Sequence, residues 1–433
     1  MDIKETVADA EKTAPDKTKD TETPKNRVKK YNLLIIACFF VYGCSIAAKS
    51  VFVSEIIAVQ SAFNVSKVQA SLANTYYFMT YAALQVGLAF FIGRINVKKY
   101  LAFTLPVSAA ICIAIPFLSG IESVWALFAV NGLAQAGVWS GCILILSKYL
   151  PFSFISKASK LMTLAMVVGC TFANAVAAAV MAMDFWQLGF YVIGVLFLCS
   201  IAFFTIVVAS FKGQGVNTEH GDAKPQSEET PQFTLSSKKE TFVFYFYSCV
   251  VASLSCALYY AVYNWLSNYF KDIWNMPDVF AVLITVVFPA VMSVGSIVGL
   301  FYFDKKQDFV KGEIIFLTVP LAVSVVMSFA VGFNLVFSII MLVTYCITIK
   351  AVAVMYSNAA AFNMRTQLNS GTYSAITNAF ASVSAGVVPT VIGAIIEKYG
   401  YAAQFIAVAI IAGVLMVFLT AFYLLTKKKS NIK

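Results

Sequence analysis

A single histidine occurs in this 433-residue chain, and only 12% of its residues are charged. The lone His220 lies in a polar stretch, which excludes a histidine-built zinc centre and a Ser-His-Asp triad. Soluble domains carry about 25% charged residues, so the chain lacks the polar surface that a water-facing shell needs. Nine cysteines are present: Cys38, Cys44, Cys112, Cys142, Cys170, Cys199, Cys249, Cys256 and Cys346. All fall inside apolar runs, without metal-ligand spacing or pairing of an extracellular kind. They read as small packing residues, and no metal or cofactor is expected. Residues 1–31 are hydrophilic and lack the apolar core and cleavage site of a signal peptide. They read as a disordered cytoplasmic tail. No catalytic constellation is visible, so an enzyme is not expected.

What the chain does have is hydrophobicity, at 60% of residues. That surplus must face lipid. Twelve apolar runs are visible, near 32–58, 69–93, 98–119, 123–149, 156–182, 186–211, 242–270, 278–303, 311–332, 334–361, 371–395 and 400–426. At 1.5 Å per residue each can cross roughly 30 Å of hydrocarbon as a helix. Period-two alternation is absent, which argues against a barrel. The expected fold is an all-α membrane protein with twelve transmembrane helices. Its parts are a tail at 1–31, a six-helix bundle at 32–211, a polar cytoplasmic linker at 212–241, a second six-helix bundle at 242–426 and a tail at 427–433.

The net charge of +10 would raise nucleic acid as a partner in a soluble protein. Here the basic residues lie between apolar runs, so membrane topology accounts for them and no nucleic acid is expected. Lys25, Arg27, Lys29 and Lys30 precede the first run; Arg94, Lys98 and Lys99 follow the second. Lys305, Lys306 and Lys311 follow the eighth, and Lys427 to Lys429 the last. The alternate loops hold little beyond Lys67, Lys271 and Lys398. Cytoplasmic loops carry the Lys and Arg excess, so both ends are expected in the cytoplasm. The short loops suit a multi-pass protein of a bacterial inner (plasma) membrane.

The halves resemble one another. The second run ends "GLAFFIGRINVKK" and the eighth "GLFYFDKKQD". A duplication of this kind implies two bundles with a substrate site between them near the midplane.

Ionisable residues inside the apolar runs carry the most information, since each costs roughly 2.5–3.5 kcal/mol at a helix centre. Lys49 lies well inside the first run. It reads either as a cationic anchor for an anion in a central cavity or as half of an internal ion pair. Lys350 holds the corresponding depth in the tenth run, and the sequence does not say which face it occupies. Two such cations from opposite halves would clamp one anion and link its binding to rocking of the bundles. Glu55, nearer the outside, reads as an exposed residue at the helix mouth in preference to a proton-coupling carboxylate. No other acidic residue falls clearly inside the membrane. Proton coupling therefore has little support in the sequence; exchange for a counter-anion and facilitated transport stay open beside it.

Polar neutral residues line up as well. Asn74, Tyr77, Tyr81 and Gln85 recur every three or four residues and share one helix face. Asn131 and Gln135 add to them in the fourth run. Tyr259, Tyr260, Tyr263, Asn264 and Asn268 cluster in the seventh. Such a stripe avoids lipid, and either binds substrate or packs helix on helix.

The six-plus-six pattern, the central linker and the basic turns resemble the major facilitator superfamily across 32–426. The superfamily turn, G-x-x-x-D-R-x-G-R-R, is matched in part by Gly93, Arg94 and Lys98 in one half and by Asp304 and Lys305 in the other; these residues are expected to gate. Within the superfamily, "NGLAQAGVWSGCILILSKYLP" and "YYAVYNWLSNYFKD" are similar to stretches of the organophosphate:phosphate antiporters and their anion-transporting relatives. Gly132, Gln135, Trp139 and Cys142 fit the first; Tyr260, Val262, Trp265, Tyr269 and Lys271 fit the second. That resemblance places Lys49 where the family has its first phosphate-binding arginine. It puts Tyr259 at the second arginine, Gln85 at a lysine and Gly169 near a histidine.

The resemblance implies a secondary transporter of a small organic anion, a carboxylate or a phosphate-like group, working by alternating access, and it implies a monomer. Its expected binding set is Lys49, Lys350, Tyr77, Tyr81, Gln85, Gln135, Trp139, Tyr259, Tyr260, Tyr263 and Asn264. The alternatives are a carrier of neutral or zwitterionic metabolites, such as amino acids or nucleosides, and a transporter-like membrane sensor.

Overall fold

The structure is a computed structural model, and it describes residues 24–91, 96–211, 235, 237–360 and 370–430. Among these residues all regular structure is helical. In hydrocarbon every backbone polar group must find its partner within the protein, and a helix achieves this locally.

The helices of the first half are α1 (Pro24–Ser54), α2 (Ile56–Phe63), α3 (Lys67–Phe91), α4 (Val97–Ala114), α5 (Ile121–Gln135), α6 (Val138–Tyr149), α7 (Phe152–Met181) and α8 (Gln187–Ala209). Those of the second half are α9 (Lys238–Tyr263), α10 (Leu266–Trp274), α11 (Asp278–Thr285), α12 (Val287–Lys306), α13 (Phe309–Phe329), α14 (Leu335–Val354) and α15 (Ser370–Ser430). A π-helical turn, Met355–Ala359, continues α14. Where a helix starts in a polar turn, a side chain accepts from its free amides: Asn96 from Lys99, Ser237 from Glu240, Asp308 from Lys311 and Asn334 from Phe337. Such caps satisfy amides that have no intrahelical partner.

Among the described residues, ten stretches are long and apolar enough to cross a membrane. The helix α3 is not among them. It is 25 residues long, but its row of Asn74, Tyr77, Tyr81 and Gln85 lowers its hydropathy. The last stretch, Thr372–Thr426, is too long for one crossing. Straight, the 61 residues of α15 would run about 90 Å, three times the hydrocarbon thickness. Gly400, at φ 78° and ψ −177°, breaks it. The packing shows that the chain folds back there. Phe244 and Tyr247, early in α9, meet Tyr373 on one arm and Phe422 on the other. Trp265 and Tyr269, later in that rod, meet Pro389 on the first arm and Phe405 on the second.

The sequence boundaries hold to within a few residues. The largest departure is at the start. The first helix begins at Pro24 and not at residue 32, because Lys and Asn side chains continue the helix past its apolar part. Residues 1–23 and most of the linker at 212–241 lie outside the described residues.

Three rods carry a localised break. At Glu55 (φ −99°, ψ 15°), Gly137 (φ −103°, ψ 4°) and Trp265 (φ −107°, ψ 10°), the backbone leaves the helical region for one residue in nearly the same way. Glu55 interrupts the first rod of the first half, and Trp265 the first rod of the second.

Two apolar cores form. One gathers Phe52, Phe128, Phe190 and Phe197 with other residues of 34–211. The other gathers Trp265, Phe288, Tyr345 and Leu415 with residues mostly beyond 244. The helix pairs α3 with α15, and α7 with α11 and α12, bridge them. Close approach depends on small residues, as expected between helices in lipid. A Cβ on Gly132 of α5 would run into the Tyr77 carbonyl and Thr80 Oγ1 of α3.

Candidate functional site

Between the two cores lies a small cavity of about 50 Å³. Its walls include Lys49, Ser50, Val53 and Ser54 of α1, Asn74 and Phe78 of α3, and Cys170 of α7. The opposite half contributes Tyr259, Tyr260 and Tyr263 of α9. Small-molecule pockets usually measure about 300–1,000 Å³, so in this arrangement the cavity is closed down below metabolite size.

Lys49 points its Nζ over the Phe78 ring at 5.2 Å and the Tyr77 ring at 6.0 Å. Lys350, on α14, is not among the residues that line this cavity. The Cys170 and Cys256 thiols lie within electrostatic reach of both amines, and the two amines repel each other. Among the described residues, ion pairs form between Lys67 and Asp272 and between Lys271 and Asp278. Neither Lys49 nor Lys350 has a carboxylate partner there. The internal ion pair offered as one reading of Lys49 is therefore not formed among the described residues.

The tyrosines build the facing wall. Tyr259 and Tyr263 stack, with centroids 5.1 Å apart and planes 15° apart, and Tyr260 stands edge-on to Tyr259 at 4.8 Å. Tyr260 also meets Phe78 across the two halves at 5.4 Å. Asn264 accepts from Asn74 Nδ2 at 3.2 Å and leaves its own Nδ2 without a protein partner.

Other members of the predicted binding set are placed elsewhere. Gln135 is buried in the first half. It accepts from Ser45 Oγ and Tyr77 Oη and donates to Ser108 Oγ and Asn131 Oδ1. Its capacity is spent inside the bundle, so it braces Tyr77 from behind. Trp139 packs on Tyr42 with centroids 4.9 Å apart and is not among the cavity-lining residues. Gln85 donates to Tyr81 Oη at 3.4 Å and accepts from Asn378 Nδ2 at 2.9 Å. It thereby joins α3 to α15 across the halves. Of the gating turns, Arg94 lies outside the described residues. Lys98 sits over the Tyr149 ring at 4.6 Å and donates to the Val208 carbonyl. Asp304 and Lys305 are exposed at the end of α12, with Lys305 over Phe301 at 4.4 Å.

On the side of the cavity far from the chain termini, the halves are joined by a polar seam; this side is called the distal end below. Ser54 Oγ donates to Asn174 Oδ1. Asn174 Nδ2 reaches the Thr285 carbonyl at 3.2 Å and Tyr263 Oη at 3.4 Å. Pro289 lacks the amide that would take the Thr285 carbonyl in a regular helix, so that acceptor is free for Asn174. Further out, Ser71 and Thr75 bond Thr390, Thr75 also bonds the Gly386 carbonyl, and Asn268 reaches Gln60. At the rim, Lys67 Nζ lies 3.1 Å from Asp272 Oδ2, which also accepts from Tyr401 Oη at 2.8 Å. Glu397 Oε1 accepts from the Lys67 and Val68 amides at the start of α3.

Two acidic residues differ from expectation. Glu55 is fully buried, not exposed at a helix mouth. Its side chain turns into the first bundle, where the break in the rod carries it toward α8. Glu313 is fully buried as well and accepts from Tyr247 Oη. Its place near the basic Lys311 concealed it, since proximity to a loop does not reveal which face of a helix a residue takes.

The family model for the Major Facilitator Superfamily matches residues 38–380. The chain belongs to this superfamily of transporters. Solved structures agree on the fold. A bacterial homologue of the human lysosomal transporter Spinster, inward-facing and occupied, superposes with a TM-score of 0.71 at 14% identity, covering 92% of this chain and 97% of that one. The nucleoside transporter NupG gives 0.65 at 13% identity, covering 91% and 98%. No curated protein sequence matches the chain. The superfamily membership accounts for the many apolar helices of a multi-pass membrane protein; at these identities the two structures speak to fold alone.

Proposed function

We propose that this chain is a secondary transporter of a small organic anion, a carboxylate or a phosphate-like species, acting by alternating access. The observation that carries the reading is the pairing of Lys49 and Lys350. They come from opposite halves, lie within electrostatic reach of each other and of the same Cys170 and Cys256 thiols beside the cavity, and have no carboxylate partner among the described residues. A buried charge is tolerated when it is paired, and an anion held between the two amines supplies the partner. Because each half brings one amine, the anion draws the halves together, which ties binding to rocking. Lysine is a compact charge that sets few demands on acceptor shape, so carboxylates and phosphate-like groups are both served. The tyrosine wall and the free Asn264 Nδ2 supply contacts for the rest of the substrate.

In this reading the chain crosses the membrane twelve times. The ten apolar stretches become twelve with α3 and the fold-back at Gly400. The crossings form two six-helix bundles, at 32–211 and 242–426, joined by the 212–241 linker. Lysine and arginine placement puts both termini in the cytoplasm of a cell inner (plasma) membrane, and the protein works as a monomer. A second reading, a carrier of neutral or zwitterionic metabolites, is favoured by the uncharged Tyr259, Tyr260 and Tyr263 on the wall facing Lys49. There one lysine would meet a single carboxylate.

A thermal-shift panel on purified protein tests the anion reading. A ligand that binds only the folded state stabilises it by about 2.7 kcal/mol at a hundredfold excess over its dissociation constant. Carboxylates or phosphate esters are expected to stabilise the wild type and to lose that effect in Lys49→Gln. Stabilisation by neutral compounds alone, retained in Lys49→Gln, would sink the anion reading.

A further inference from the structure

Beside the cavity at Lys49 lies a second and smaller one, of about 10 Å³. It shares Val53, Ser54 and Tyr263 with the first, so the two adjoin. Asn174 completes the first half's share of its wall, and Asn264, Ser267 and Thr285 come from the second half. A space of about 10–15 Å³ on this scale takes one water-sized oxygen. No carboxylate and no amine stands in the wall.

The wall is matched to one kind of group. Asn264 closes α9 one residue before the break at Trp265, and it is fully buried. Its Oδ1 accepts from Asn74 Nδ2, while its own Nδ2 has no protein partner. A buried donor left unmet is costly, so the cavity calls for an acceptor. Ser54 Oγ spends its proton on Asn174 Oδ1, and Thr285 Oγ1 spends its own on the Val282 carbonyl. Their oxygens remain as acceptors. A hydroxyl both accepts and donates, and so suits a wall that offers an amide donor beside hydroxyl oxygens. A second carboxylate has no proton to give, and its charge finds no cation in this wall.

The spacing links this cavity to Lys49. The Lys49 amine lies over the Phe78 ring, and Asn264 is bonded to Asn74. Asn74 and Phe78 are one turn apart on α3, about 6 Å along its axis. The amine and the free amide are therefore set about one helical turn apart.

We propose that the seam cavity is a hydroxyl-binding subsite and that the substrate is a short hydroxylated anion. Its ionised group meets Lys49, and its hydroxyl, a few bonds away, accepts from Asn264 Nδ2. The inference rests on the anion reading at Lys49 and narrows it. Because both halves wall the subsite, it is complete only while they are joined at the distal end. The hydroxyl is thus recognised on closure.

Thermal-shift titrations of the purified protein with two matched pairs provide the test: butyrate against 4-hydroxybutyrate, and ethyl phosphate against 2-hydroxyethyl phosphate. In the pair that binds, the hydroxylated member is expected to bind about tenfold more tightly, the scale of one hydrogen bond to a buried donor. Asn264→Leu, close in volume but without the donor, is expected to bring the two members level and to keep binding of the plain anion. Equal affinity of the two members in the wild type means that water alone occupies the subsite, and it overturns the proposal while leaving the anion reading standing. A preference that survives Asn264→Leu overturns it as well. Should the leucine variant fail to fold, hydrogen exchange of wild-type peptides covering 278–290 decides. At equal saturation the hydroxylated ligand is expected to protect them more than the plain one, and equal protection overturns the proposal. No response to any of the four compounds removes this inference together with the anion reading.

Discussion

Replacing Lys49 or Lys350 with methionine is expected to stabilise the empty protein while abolishing its response to anions. Lys49 makes no hydrogen bond or ion pair among the described residues; its contacts are two aromatic faces, at 5.2 and 6.0 Å. Holding a lysine at mid-membrane depth costs about 2.5–3.5 kcal/mol, and each cation–π contact returns about 0.5–1 kcal/mol. The difference leaves Lys49→Met more stable by about 1–2 kcal/mol. Among the described residues Lys350 meets no aromatic face that would offset its burial, so Lys350→Met gains more. Either change also relieves the repulsion between the amines. Thermal unfolding followed by tryptophan fluorescence reads the effect, with and without an anion panel. A lysine kept for structure gives the opposite sign, because removing it strands a partner. A lower Tm in the empty Lys49→Met protein would therefore refute the reasoning, whatever its transport activity.

Three further outcomes follow from the packing. Gly189→Ala is expected to cost about 1–3 kcal/mol by overpacking, since its Cβ meets Glu55 Oε1. Glu55→Ala in the same chain should restore most of that loss, and a double-mutant cycle on thermal stability measures the coupling. Gly132→Ala is expected to be similarly destabilising, because backbone and Thr80 stand where its methyl would go; expression and Tm report it. Asp272→Asn removes the partner of Lys67. Its effect on stability is expected to stay within about 1 kcal/mol, as for other exposed pairs, but hydrogen exchange across 64–75 should rise as the distal end opens more often. Unchanged exchange there would show that the rim pair does not hold the halves together.

The fold was largely legible because crossing a membrane leaves a coarse signal. Each crossing needs a long apolar run, and Lys or Arg marks the alternate turns. Lys49 and Lys350 were legible for the same reason, since a charge within such a run stands out. Which way a side chain faces was not. The seam joins Asn74 to Asn264, Gln85 to Asn378 and Thr75 to Gly386, residues far apart in the chain that no periodicity pairs. Gln135 showed the right polarity for a binding residue but spends it within its own bundle. Glu55 was misplaced because the break that turns it inward is a change in backbone torsion at one residue. No proline or glycine marks that position. The clue available in sequence was Gly189, in a different helix.

The Glu397 carboxylate has a consequence beyond the rim pair it accompanies. It accepts from the first amides of α3, although it belongs to the other half of the chain. The first turn of α3 is thus finished by a residue that leaves when the halves separate. Free amides at a helix start turn to water and fray. The working length of α3 therefore depends on the state of the transporter: a complete rod when the distal end is shut, and one with a loosened first turn when it is open. Part of the resistance to opening is then stored as unfinished secondary structure and not as contact between surfaces.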